Sequence, residues 1–537
     1  MNHKRGSAAA LAVALAVCLS GCGGDGAFFG EGEEVKYRTE QTIYLPMEKV
    51  RTLNPMISKD ADVYYISKLV YDSLFELDEW LEPKKRLVES YAYSDDKLTL
   101  TLTLKEGVKW HDGEELTAAD VKFSIDSYMN LSYSNETVYS GYVSNIRSVS
   151  QVRGDPGTVV VSFRNAGNVG VENLLFPILP SHQFSRSGDV RRNAEEFMPV
   201  GTGPYRIGDY NNLSYLTLSA NEAYHGAVPK NELHFVILPR AKDAINLIDV
   251  ENISLLISGD MDRDALTSNL KVRTVNFLSN QAEVIGFNFR SPIMGNKQMR
   301  QAVAHAVDSA EILESAYLNN GVLSDTIYYP SFYGNRNGGE LFPYDTDTAA
   351  DMISMAGFRD TDGDGYIDRR GEMVILRILV DSGDPARVAA AQIIKNSLDK
   401  LPLATYIIYC DRDEYIQTLD SGEYDLFIGG YTFNERYDLR DLLHTDRYNK
   451  IGYSNRKLDS LLDEMQSCVT AMSKAELFEE ANSILKEEIP YYCILYKTFG
   501  AVCSDSLEGD ISPLFNDYYR NSGEWLCMHE IPAAVAE

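Results

Sequence analysis

Beyond its N-terminal end the chain has no stretch approaching 18 consecutive apolar residues, which excludes a later membrane-crossing helix. Positive charge is scarce: 50 Lys and Arg against 79 Asp and Glu give a net charge of -29. Such a surface repels nucleic-acid phosphates and anionic lipid headgroups, so neither is expected as a direct partner. The chain also lacks a G-x-S-x-G elbow, an H-E-x-x-H pair and a G-x-x-x-x-G-K-[ST] phosphate loop, the local signatures of serine hydrolases, zinc peptidases and P-loop enzymes. His111, His182, His225, His234, His305 and His444 are each isolated in sequence, with surface or hydrogen-bonding roles expected. A glycosidase-like carboxylate pair could be drawn from any chain this acidic, so its possibility carries no information. No C-x-x-C spacing is present, and no internal repeat. No catalytic residue, metal ligand or cofactor is assigned.

What is present begins with a targeting signal. Lys4 and Arg5 precede an apolar run over residues 8–19, too short to span a bilayer but suited to a signal peptide. The run ends in Leu19-Ser20-Gly21-Cys22, which resembles a bacterial lipobox, in which cleavage before the cysteine leaves its thiol to carry a diacylglycerol. Residues 1–21 are then the lipoprotein signal peptide, Cys22 the lipidation site, and 22–37, glycine-rich and acidic, a flexible tether. The expected location is the outer face of the cytoplasmic membrane. Of seven cysteines, Cys18 and Cys22 belong to export. The other five are an odd number. Cys493 and Cys503 are close enough in sequence to pair, but buried thiols are the simpler state.

The 537-residue chain is long enough for about three packed units. Strand and helix patterns are mixed throughout. Leu98-Thr99-Leu100-Thr101-Leu102-Thr103-Leu104 alternates as a half-buried strand. Residues 158–163, entered through Asp155-Pro156-Gly157, and 213–219 give two more. Met299, Val303, Ala306, Ala310, Leu313 and Tyr317 mark one buried stripe of a long helix. A strand over 374–380, a loop over 381–384 and a helix opening at Pro385 form a strand-to-helix unit. Residues 458–488 read as two helices separated near Met472-Ser473. The class is α/β with several sheets. Asp360, Asp362, Asp364 and Asp368 have the spacing that opens a calcium loop, but the twelfth position is Gly371, with Glu372 one residue late. A polar turn is the expected reading.

The segment Val108-Lys109-Trp110-His111-Asp112-Gly113-Glu114-Glu115-Leu116-Thr117-Ala118-Ala119-Asp120-Val121 reads as a strand, a tight turn at Asp112-Gly113, and a helix capped by Thr117. It resembles the signature of the family 5 extracellular solute-binding proteins of ABC importers, the oligopeptide, dipeptide and nickel group. Further pieces follow in family order: Leu53-Asn54-Pro55, Tyr71-Asp72-Ser73-Leu74, Gly201-Thr202-Gly203-Pro204-Tyr205, Asn221-Glu222-Ala223-Tyr224-His225-Gly226, Phe287-Asn288, Arg300-Gln301-Ala302-Val303, Gly452-Tyr453-Ser454-Asn455 and Glu488-Ile489-Pro490.

The resemblance implies a two-lobed, hinge-closing, periplasmic-binding-protein-like type II fold with an extra domain in the first lobe. Lobe 1 would take 38–285, including the extra domain at about 60–185. Lobe 2 would take 286–495, and 496–537 would return to lobe 1, with the chain crossing near Phe287-Asn288 and again near Tyr496. It implies a monomeric, non-enzymatic receptor that captures a small solute, a peptide first of all, for an importer permease. An oligosaccharide or a metal chelate keeps the same role. A surface sensing lipoprotein or hydrolase is the alternative from another class. In peptide-binding members, a segment after a strand presents an aromatic residue and, three residues later, an aspartate that pairs with the ligand's amine. The matching strand is 423–428. Tyr431 then takes the aromatic position and Asn434 falls where the aspartate is expected, with Glu435 one residue on. Tyr431, Thr432, Phe433, Asn434, Glu435 and Arg436 are the candidate ligand contacts, together with Asp381, Ser382 and, from the early segment, Arg51. A neutral amide at 434 lacks the charge-assisted bond an ammonium favours.

Overall fold

Three sheets carry the architecture seen in a computed structural model of the chain, which describes residues 37–184, 187–192, 194–248, 253–324, 326–334 and 341–530. The signal peptide, Cys22 and nearly all of the tether lie outside them. Residues from Thr39 to His529 form one compact unit. The first sheet orders Thr42–Glu48, Glu232–Leu238, Tyr215–Ala220 and Tyr205–Asn211, with the first pair parallel and the others antiparallel. The second is antiparallel: Val88–Tyr93, Thr99–Leu104, Thr158–Phe163 and Ile146–Gln151. Its Thr-Leu alternation works as expected, with Leu100, Leu102 and Leu104 in the core. The helix Ala118–Tyr133 packs on it through Val121, Ile125, Tyr128 and Leu131. Asp120 fixes the start of that helix by accepting from the backbone N–H and the hydroxyl of Thr117 (2.9 and 3.0 Å).

The third and largest sheet runs Leu255–Ser258, Tyr491–Ser504, Val272–Phe287, Leu426–Thr432, Ile375–Asp381 and Ala404–Cys410, with Gly321–Leu323 pairing to Tyr491–Ser504. Its last three strands are parallel, as the crossover helices Pro385–Leu398 and Arg412–Ser421 between them require. Val272–Phe287 and Tyr491–Ser504 are antiparallel partners long enough to serve two cores. Ala501 and Cys503 belong to the apolar cluster around the first two sheets. Ile285, Phe287, Ile494 and Leu495 belong to the cluster under the parallel strands. The register of the pair slips between Leu278 and Ala282. This is the mixed α/β architecture expected.

The quoted motifs turn out to be cross-braces. His111 joins Trp110's turn to the next motif by contacting Gly203 O (3.1 Å) and accepting from Gly201 N–H (3.1 Å). Gly201 must be glycine because a Cβ there would lie 1.7 Å from Val70 O. Arg300 donates to Glu488 O and Met294 O, and burial lowers its pKa to about 10. Asn455 caps the helix Arg456–Ser467.

Several expectations need correction. The stripe from Met299 to Tyr317 does not lie on one long helix. The helix Lys297–His305 stops, and Asp308 caps a new turn by accepting from Glu311 N–H, leaving Ala310 exposed. The break in 458–488 falls earlier than Met472-Ser473, between Ser467 and Ala471, because Thr470 caps the second helix. Cys493 and Cys503 are buried free thiols, the state expected of them. They sit ten residues apart on one strand, about 33 Å at 3.3 Å per residue. In the acidic turn, Asp360 accepts from Gly363 and Gly365 N–H and Asp368 from Thr361. Those carboxylates shape the turn itself.

Candidate functional site

The carboxyl ends of the three parallel strands gather most of the candidate residues, the place where open α/β sheets present ligand-binding groups. Asp381 ends the strand Ile375–Asp381. Its carboxylate accepts from Gly383 N–H (3.0 Å) and pairs with Arg412 (3.3 Å). Ser382 donates to Cys410 O on the adjacent strand (2.8 Å). The neighbouring strand is longer and later than expected, Leu426–Thr432 rather than 423–428, so Tyr431 and Thr432 are strand residues opposite Ala282 and Gln281. The two glycines at 429 and 430 remain in the ladder, opposite Val284 and Glu283. Gly430 is also confined, since a Cβ there would meet Arg387 Nη2 at 2.3 Å and Glu283 Oε1 at 2.8 Å.

Beyond the strand the chain turns sharply. Phe433 donates its N–H to Asn280 O and stacks its ring on Tyr437, centroids 5.0 Å apart, so it is core. Asn434 is exposed, and its side-chain oxygen accepts from Arg436 N–H (3.0 Å). Glu435 and Arg436 reach across to the other core. The Glu435 carboxylate accepts from the hydroxyls of Tyr64, on the helix Ala61–Val70, and of Tyr142. Arg436 donates to Asn173 Oδ1 (2.9 Å) and Gly141 O (3.2 Å) and lies over the Tyr142 ring. Burial first, and then the Glu435 charge, push both tyrosine hydroxyls well above their usual range, so they stay protonated and donate. Arg51 is placed elsewhere: its side chain is 82% exposed and faces Glu195 at 3.8 Å.

Two features escaped the sequence reading. Glu283, only 1% exposed on the long strand Val272–Phe287, is held by Arg387 (2.8 and 3.1 Å) and Lys497 (2.8 Å). A lone acid in Ala282-Glu283-Val284-Ile285 and a lone cation in the apolar run around Lys497 were the available signals. The second is a cavity of about 530 Å³ beside Glu435, lined by Lys68, Glu76, Arg86, Asn516 and Asp517 among others. Nothing local in the sequence joins residues this far apart.

Two long strands shared by two cores, with the ends of the parallel strands beside their junction, give the architecture of a type II periplasmic-binding-protein fold, and the comparisons agree. Residues 82–449 match the model of the bacterial extracellular solute-binding proteins, family 5, and the chain belongs to that family. It is similar to the oligopeptide-binding protein AppA of Bacillus subtilis, 23% identical over 529 residues, covering 95% of this chain and 97% of that protein. The solved structure of that AppA in complex with a nonapeptide aligns with a TM-score of 0.60 at 22% identity, over 91% of this chain and 99% of the other. HbpA2 from Haemophilus parasuis aligns with a TM-score of 0.76 at 19% identity, over 91% and 100%. The chain is a binding protein of this class and not an enzyme. It is extracytoplasmic, as the family is, and among the described residues no helix is long and apolar enough to cross a membrane.

Proposed function

We propose that the protein captures peptides between its two lobes and delivers them to an ABC importer permease, acting as a monomer tethered to the membrane through Cys22. The observation that carries the reading is the segment Tyr431 to Arg436. It leaves the second core at the ends of the parallel strands and bonds to the first core through Glu435 and Arg436. A guest at that junction touches both bodies and so favours the shut form over the open one. The adjoining cavity presents cations and carboxylates together, which suits a zwitterionic peptide better than a neutral sugar. Likeness to an oligopeptide-binding protein over nearly the whole chain supports the same class.

Lobe 1 is assigned 38–285 with 496–537, its extra domain about 60–185, and lobe 2 286–495. The register slip between Leu278 and Ala282 is the flexing point we assign within the paired strands, several residues before Phe287-Asn288. Tyr431, Asn434, Asp381 and Ser382 are the proposed contacts on lobe 2, Glu435 and Arg436 the closing pair, and Thr432, exposed at the strand end, an outer contact. Phe433 supports the loop from below.

Thermal shift of residues 35–537 against peptide, sugar and metal-chelate panels tests the ligand class. A peptide at a hundred times its Kd should add about 2.7 kcal/mol of stability. Stabilisation by sugars or chelates with none by any peptide refutes the assignment. Cys22→Ser should release the protein from membranes into the medium, and retention would refute the lipid anchor.

A further inference from the structure

The cavity beside Glu435 has an unbalanced set of polar groups. Of its lining carboxylates, Asp72 is matched by Arg86 (2.8 Å) and His225 (2.9 Å), Asp78 by Lys84 (2.9 Å), and Glu524 by Lys230. Arg520, which also lines it, pairs outward with Glu79 at 3.4 Å. Glu76 has only a longer contact to the already committed Arg86, at 3.5 Å. Glu435 is held by two neutral hydroxyls, which orient its charge without cancelling it. Asp517 has no cation within ion-pair distance among the described residues, although Lys68, Arg520 and Arg86 lie in its field and the Tyr519 backbone N–H donates to it. Burial accordingly raises the carboxyls of Asp517 and Glu76 above their usual range.

A second observation is independent of these charges. Asn516, adjacent to Asp517 and lining the same cavity, is 5% exposed, and its side-chain oxygen accepts no hydrogen bond from the described residues. A buried acceptor without a donor is costly, and a site built for a donor-bearing guest accounts for it. Acceptors therefore outnumber donors on one side of a chamber large enough for a peptide side chain or terminus.

We propose that this cavity is a subsite for a cationic group, an ammonium or a guanidinium, held by Asp517 and Asn516 on the C-terminal segment with Glu76 completing the acidic wall. The receptor thus selects basic ligands over neutral ones of the same size. The proposal deepens the peptide reading and rests on it for the identity of the ligand, though not for the chemistry of the subsite. Lys68, over the Tyr64 ring, is the one nearby cation without an ion pair among the described residues, and it tempers the acidic field without reaching Asp517.

The test is calorimetric titration of the full soluble body with four length-matched peptides that differ at one residue, Lys, Arg, norleucine or citrulline, and with spermidine. The Lys and Arg peptides should bind about tenfold tighter than their neutral counterparts, the scale of one charge-assisted hydrogen bond. Asp517→Asn should abolish that preference, bringing the Lys and Arg peptides to the affinity of their norleucine and citrulline counterparts, with the fold checked by circular dichroism. Equal affinity for basic and neutral peptides in the wild-type protein overturns the proposal without any variant, and so does a preference that survives Asp517→Asn. If no peptide binds but spermidine does, and Asp517→Asn weakens it, the subsite stands and the peptide reading falls. If spermidine and every peptide fail, the subsite falls as well.

Discussion

Replacing Arg387 with Met keeps much of the side-chain volume but removes two of the contacts that hold Glu283. Glu283 is nearly inaccessible, so water cannot take the place of the lost guanidinium. At an effective dielectric of about 20, two unit charges roughly 4 Å apart interact by about 4 kcal/mol. Lys497 stays in place at 2.8 Å and offsets part of that loss. The expected net destabilisation is about 3 kcal/mol, at the lower end of what breaking one arm of a buried ion pair costs. Urea unfolding followed by tyrosine and tryptophan fluorescence reads it as a fall in midpoint at unchanged slope. Glu283→Gln combined with Arg387→Met should be less damaging than the sum of the two singles by at least about 1 kcal/mol, because the uncompensated charge is then gone. An Arg387→Met cost below about 1 kcal/mol, or strict additivity in the cycle, would refute the claim that Glu283 depends on Arg387. The consequence reaches the site, since Gly430 packs directly against this pair and Tyr431 follows it.

The closing contact is tested by Tyr64→Phe with Tyr142→Phe. Losing both hydroxyl donors to Glu435 should shift the equilibrium toward the open form by roughly 2–4 kcal/mol, seen as a larger radius of gyration in solution scattering, and an unchanged radius would remove Glu435 from closure. Asp517→Asn should raise the melting temperature at neutral pH. Because the folded state holds the Asp517 proton more tightly than the unfolded chain does, its ionised form costs stability above the raised pKa, and that cost fades as pH falls through it. The gain from the substitution should therefore shrink in acid, and a gain that grows in acid contradicts the sign.

Much of the fold could be read locally. The strand Thr158–Phe163 has the bounds its turn signal predicts, and Pro385 opens its helix where expected. These succeed because each is decided by residues within one turn or one pleat. The stripe from Met299 to Tyr317 fails for a physical reason. Its periodicity is correct on both sides of a break, but Asp308 finds a better use capping the second turn than continuing the first helix. The strand runs on to Thr432, past the expected end at 428, because Gly429 and Gly430 stay in the ladder and make room for Arg387 and for Tyr415, whose hydroxyl would lie 2.8 Å from a Cβ at 429.

The site divides along the same line. Tyr431 to Arg436 was recognisable through its resemblance to the ligand-contacting segment of peptide-binding family members, although Tyr431 and Thr432 prove to be strand residues. What those residues touch was not, because Glu435 meets Tyr64 and Tyr142 across separations of 371 and 293 residues. An exposed Asn434 whose oxygen is occupied in its own turn cannot be told from an amine-binding group by residue type alone. Its neighbour Glu435 brings the charge, and spends it on two tyrosines of the other lobe. An acid that binds across the cleft in this way couples guest and closure: a cationic guest that competes for Glu435 would loosen the latch, whereas one seated on Asp517 leaves it fastened. A receptor that must be both shut and occupied is better served by the second arrangement, which places the charge that recognises the guest and the charge that fastens the lobes on different residues.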